Sequence, residues 1–234
     1  IGNALDLKES GKEPEDAVQL VENYVRDLRA MWTAQPVRSE TEAYNLAGAR
    51  MSFKTEQTIP IYVTALGSEV ASKAGEIADG MLMSAGFSVP FVQNCLKKFQ
   101  EGAAKAGRDT SVLRTAAFIH FSVSEDGMSA REDVRRKLAF LFRNRLMAEN
   151  IASSGISIDQ DAIVDAVAAR DLDKAATYVP DEAIEAFGVA GTVADCKKCL
   201  DAYVATGLDE PVIQVAGDQA AKILALQVIR EFTG

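Results

Sequence analysis

One stretch, Ile59–Ser84 (IPIYVTALGSEVASKAGEIADGMLMS), limits the architecture more than any other part of the chain. It opens on a short apolar run, Ile59–Val63, rich in β-branched residues. The small-residue turn Thr64-Ala65-Leu66-Gly67-Ser68 follows, then an alanine-rich helical pattern at Glu69–Ala78. Asp79-Gly80 breaks that helix, and a second apolar run, Met81–Met83, comes next. Strand, turn, helix, turn, strand is one βαβ unit, and apolar runs without polar alternation are typical of strands buried on both faces of a parallel sheet. The Gly67 turn then lies at the carboxyl end of one strand and the amino end of a helix. Free backbone N–H groups and the helix dipole favour an anion such as a phosphate there.

The rest of the chain repeats the pattern. Strands are predicted at 59–63, 81–84, 112–123 (VLRTAAFIHFSV) and 211–215 (PVIQV), with a possible short strand near Arg50–Phe53. Apolar residues at three- and four-residue spacing predict helices over 15–32, 88–106 and 129–150, shorter ones over 159–169, 171–178 and 180–187, and further helices over 192–205 and 218–232. Thr192 and Asp195 are placed as a capping box. Four strands, each followed by a helix, predict a parallel sheet with right-handed crossovers. Either a doubly wound sheet or a TIM barrel satisfies this, but a complete barrel has eight strands in about 250 residues.

Charge and composition exclude several classes. A net charge of −9 over 234 residues argues against a surface built for nucleic acid or anionic membrane. The three cysteines, Cys95, Cys196 and Cys199, do not read as a disulfide framework, so a cytoplasmic location is expected. No apolar run approaches the ~18 residues of a membrane span. His120 is the only histidine, which rules out a His-rich metal site, and the carboxylates show no metal-ligand spacing. Its place in the middle of an apolar strand favours a hydrogen-bonded structural role over acid–base work. Cys196-Lys197-Lys198-Cys199 matches C-x-x-C, but a redox pair belongs at a helix start just after a strand, and this one lies inside a helix.

Five blocks also resemble, in order, the C-terminal half of the luciferase-like flavin oxidoreductase family. Ile1-Gly2-Asn3 with Asp6–Gly11 resembles the loop leaving the fourth barrel strand, and Val21–Trp32 the helix after it. Ile59–Met83 resembles the fifth strand through the sixth, Phe187–Thr192 a block opening a late helix, and Val204–Gln214 the entry to the eighth strand. The resemblance implies an α/β fold, a TIM (β/α)8 barrel of which only about strands five to eight are present, as one partial domain over residues 1–234 with a helical excursion at about 125–190. It implies FMN or the deazaflavin coenzyme F-420 as cofactor, lying across the carboxyl ends of the strands. Monooxygenase or hydride-transfer chemistry on a small-molecule substrate follows. Implied partners are a flavin or deazaflavin reductase and, at full length, a second copy in a homodimer. Implied cofactor-binding residues are Asn3, Thr64, Ala65, Leu66, Gly67, Ser68 and Met83; catalytic residues are expected on the absent first four strands, leaving this fragment alone inactive. Two alternatives stay open: a noncatalytic flavin-binding relative of the same fold, and an unrelated open α/β binding domain.

Overall fold

The computed structural model describes residues 17–41 and 43–233. Gly2, Asn3 and Asp6–Gly11 lie outside the described residues. The chain enters on α1 (Ala17–Trp32), followed by an antiparallel hairpin, β1 (Val37–Glu40) and β2 (Asn45–Ala49). This hairpin replaces the strand expected near Arg50–Phe53. It rests on α1, where the buried Asp27 carboxylate accepts the Tyr44 hydroxyl at 2.8 Å.

The sheet begins at β3 (Tyr62–Ala65), shifted by a few residues from the expected 59–63, so that Thr64 and Ala65 end a strand rather than start a turn. α2 (Ser68–Ile77), β4 (Gly80–Met83), α3 (Val89–Lys105) and β5 (Arg114–Val123) follow. β3, β4 and β5 pair in parallel in sequential order, and β7 (Glu210–Val215) pairs in parallel with β5. Between β5 and β7 lie α4 (Met128–Phe142), α5 (Ala148–Ser154), α6 (Gln160–Ala168), α7 (Leu172–Thr177), α8 (Asp181–Phe187), β6 (Val189–Gly191) and α9 (Val193–Val204). α10 (Gln219–Thr233) follows β7. The helix expected over 129–150 is therefore two helices with a 3-10 turn, Arg145–Met147, between them. The Asn144 side chain accepts the Leu146 N–H at 3.1 Å, and Gln160 Nε2 donates to the carbonyls of Phe142 and Asn144 at 2.8 and 3.0 Å. Those bonds satisfy the groups that a break in a helix exposes.

β6 was not expected as a strand. On β5, Arg114 N–H donates to Asp79 O on one edge and Ser124 N–H to Gly191 O, whereas Phe121 O accepts from Ala216 N–H. Alternate residues of a strand bond to opposite neighbours. β6 thus takes over the β4 edge of β5 beyond Met83, and β7 holds the other edge.

The two sheet faces differ. Val63, Ala65, Met81, Met83, Ala117, Ile119, Phe121 and Val123 join the core with residues of α2 and α3 such as Ala71, Phe91 and Phe99. Burying a large apolar side chain contributes about 1.5–3 kcal/mol, so this face carries the fold. The alternate residues point the other way, and Tyr62, Thr64 and Gln214 among them are exposed. α2 and α3 meet backbone to backbone: a Cβ on Gly75 would fall 1.9 Å from Phe99 O, and one on Gly102 the same distance from Ser72 O. Asp79 fixes the turn into β4, accepting Ile61 N–H at 2.9 Å and Arg29 Nη2 at 2.8 Å. Among the described residues, neither β3 nor β7 has a strand on its outer edge.

Sequential order separates the two architectures left open by the sequence. A doubly wound sheet reverses strand order at a switch point and covers both faces with helices. Here β3, β4, β5 and β7 step in one direction, with β6 alone folding back onto the β4 edge of β5, so right-handed crossovers put α2 and α3 on one side, as in a barrel wall.

Candidate active site

The carboxyl ends of β3, β4, β5 and β7 form one rim. At the β3 end, Gly67 caps α2 in an extended conformation with no side-chain cap. The cap comes from far away in sequence: Ser68 N–H donates to Glu149 Oε2 at 3.2 Å. A Cβ on Gly67 would stand 3.5 Å from the same oxygen. The turn therefore accommodates an anionic oxygen, with the Glu149 carboxylate as a stand-in for an anionic ligand group.

The next residue, Asn150, secures the β4 end. It is fully buried, its Oδ1 accepts Ser88 N–H at 2.8 Å, and its Nδ2 donates to Gly86 O at 2.8 Å. Ser88 Oγ is buried beside it without a partner among the described residues. The Tyr203 hydroxyl donates to Phe87 O at 2.7 Å, and burial pushes the phenol's pKa up. α5 and α9 thus hold the 84–88 turn from two directions.

The β5 and β7 ends border a cleft of about 370 Å³ lined by Ser122, Ser124, Glu125, Asp133, Gly217 and Asp218, among others. Ser122 Oγ donates to Asp133 Oδ2 at 3.0 Å. Barrel enzymes commonly bind phosphate after strands seven and eight, but three carboxylates here repel one. The Leu66–Ser68 turn is the better anion site of the two.

The expected site residues fall into two groups. Thr64, Leu66, Gly67 and Ser68 are exposed or half-buried at the rim. Ala65 and Met83 are fully buried with their side chains in the core, so only their backbone faces a ligand. Asn3 lies outside the described residues. Glu149 and Asn150 were missed because both fall in a region read as one continuous helix.

His120 is buried as a structural residue would be, yet neither ring nitrogen has a partner among the described residues, which corrects the expected hydrogen-bonded state. Burial, with a smaller contribution from the Lys137 charge, pushes its pKa down to about 4. Cys196 is buried, donates weakly to Ser122 O at 3.4 Å, and has its pKa pushed up to about 12, mainly by burial. A thiol so held is inert. Among the described residues no cluster of His, Cys, Asp or Glu is arranged to hold a metal ion, and no helix is long and apolar enough to cross a membrane.

Comparisons with known proteins agree with this frame. The 5,10-methylenetetrahydromethanopterin reductase of Methanolobus tindarius is 28% identical over 210 residues, covering 86% of this chain and 63% of the relative. The F-420-dependent glucose-6-phosphate dehydrogenase of Gordonia bronchialis is 32% identical over 164 residues, covering 69% of this chain and 47% of the relative. The chain thus spans about half to two-thirds of the length of these relatives. In structure, the coenzyme F-420-dependent tetrahydromethanopterin reductase of Methanopyrus kandleri superposes with a TM-score of 0.81 at 22% identity, over 99% of this chain and 72% of that one. That likeness establishes the fold as the α/β parallel-sheet fold of luciferase-like barrels. The model of the luciferase-like monooxygenase family matches residues 2–210, and the chain belongs to that family.

Proposed function

We propose that this chain forms part of the cofactor-binding frame of a hydride-transferring oxidoreductase that uses the deazaflavin coenzyme F-420. The observation that carries the reading is a sheet face exposed at Tyr62, Thr64 and Gln214 that ends at a turn already holding an anionic oxygen. Tyr62, Thr64, Leu82, Phe118 and Val212 lie on that face by strand alternation. At its rim, Ser68 N–H donates to the Glu149 carboxylate, and the same donor suits the anionic tail of a flavin or deazaflavin.

In this reading the backbone of Thr64 through Ser68 holds the cofactor, with Asn3 joining from the amino-terminal segment. Ala65 and Met83 contribute by fixing the strand ends. When bound, the coenzyme supplies a two-electron hydride carrier. The residues of this chain orient it and exclude water: Asn150 and Tyr203 hold the 84–88 turn in place, and the helices from α4 to α8 flank the mouth. The sheet corresponds to strands five to eight of a (β/α)8 barrel. Groups that touch the reacting atoms belong to the first four strands, so no described residue is assigned as catalytic. A small-molecule substrate, a homodimer and a cytoplasmic setting belong to the same proposal.

F-420 is preferred over FMN because the names of the Gordonia and Methanopyrus proteins carry it. The family description favours a second reading, an FMN-dependent monooxygenase fed by a separate flavin reductase. Titrating the protein with F-420 and with FMN, followed by difference absorbance, separates them. Saturable binding of F-420 in preference to FMN is expected. Preference for FMN moves the assignment to the monooxygenase, and binding of neither contradicts both and leaves a noncatalytic relative.

A further inference from the structure

We propose that His120, Lys137 and Gln214 form a subsite for an anionic group, a carboxylate or a phosphate, of the small-molecule substrate. This rests on the reading of the sheet face opposite α2 and α3 as the ligand face, whichever cofactor is bound. Ile119 and Phe121 point into the core, so His120 between them points to that opposite face. The residue is only 8% exposed, and neither ring nitrogen has a partner among the described residues. Buried polar groups are nearly always hydrogen-bonded, and one left alone is destabilising. An imidazole kept dry and unpaired on a ligand face awaits a partner that arrives with the ligand.

Two neighbours give that partner its sign. Lys137 of α4 lies close enough for its charge to oppose protonation of the ring, and among the described residues it is the one charged group that acts on His120. Three other basic residues of α4, Arg131, Arg135 and Arg136, pair with Glu185, Asp181 and Asp173. Lys137 is exposed and has no such pair among the described residues. Asp133, one turn earlier, is engaged by the Ser122 hydroxyl. Gln214 stands beside His120 in the β5–β7 register, on the same face, and is exposed. An ammonium, an imidazole N–H and an amide N–H are all donors, a set that suits an oxyanion. A bound anion pairs the lysine, accepts from the imidazole and favours the charged ring, which the empty site holds neutral. The subsite is two strands, about 10 Å, from β3, so substrate and cofactor lie side by side on one face.

His120 is the only histidine of the chain, so its imidazole signals in nitrogen NMR of the untagged protein are unambiguous. Acetate and inorganic phosphate are titrated in at neutral pH, and the protonation of the ring is then followed with and without each anion. Saturable movement of the ring signals is expected with at least one anion, and the stronger response decides between carboxylate and phosphate. With the anion bound, the ring's midpoint rises from about 4 by about one to three pH units. Lys137→Gln, at an exposed position that leaves the fold intact, weakens the anion on the order of two- to fivefold, and Lys137→Arg retains it. Ring signals that ignore both anions would overturn the subsite and leave a trapped water as the partner of His120. Equal anion affinity in wild type and Lys137→Gln would overturn it as well. Failure to bind F-420, with the anion still moving the His120 signals, would overturn the cofactor reading and leave the subsite standing.

Discussion

His120 illustrates how burial alone sets a charge state. Its imidazole has no partner to stabilise a proton and Lys137 nearby opposes one, so the folded pKa falls from 6.5 to about 4. A group whose folded pKa is depressed contributes stability above its unfolded value, and that stability is lost as pH falls towards the folded value. The expected outcome is a loss of about 3 kcal/mol between pH 6.5 and 4 from this residue. Urea unfolding of wild type and His120→Phe across that window checks it, and the wild-type curve should fall more steeply. Parallel curves would mean that the ring is solvated. At this scale, what the sequence disclosed depended on distance along the chain. The Thr192–Asp195 capping box spans three residues and is present in full, with Thr192 N–H donating to Asp195 Oδ2 at 2.9 Å. The Ser68–Glu149 contact spans 81 residues, and no local pattern encodes it.

Among the elements, the α2–α3 contact is the most exacting. Gly75 and Gly102 let the two backbones touch, and a methyl group on either meets a carbonyl oxygen that cannot rotate away. Gly75→Ala is expected to cost ~3 kcal/mol or more in overpacking, read as a lower urea midpoint at unchanged slope. Asn150→Ala leaves Ser88 N–H and Gly86 O buried without partners, for an expected cost of about 2–4 kcal/mol. The same denaturation experiment measures it, and a change within error would show that water replaces the amide. The helices that were legible, such as α3 and α9, have both a periodic apolar face and local stop signals. The break after Phe142 was not legible, because Leu146 and Met147 continue the apolar pattern while Gln160, sixteen residues on, caps the carbonyl of Asn144. β1 and β2 were missed for a related reason: Asn45–Ala49 has no alternation, and its support comes from α1 through Asp27 and Tyr44.

For the whole molecule, one-directional winding is what joins fold to function. The parallel order of β3, β4, β5 and β7 puts α2 and α3 on one face and the ends of these strands on one rim. The apolar runs at β3, β4 and β5 made the parallel sheet readable, although β3 alternates in burial, with Tyr62 and Thr64 exposed and Val63 and Ala65 buried. The rim was readable at Gly67, where strand meets helix, but not where the helical excursion folds back over it. The central claim is that this rim receives the cofactor at the β3–α2 turn. Amide hydrogen exchange with and without F-420 tests it most directly. Protection gained over residues 64–68 and 84–88 is the predicted result. Protection confined to the acidic cleft around Ser122, Asp133 and Asp218, with the 64–68 turn unchanged, would contradict it.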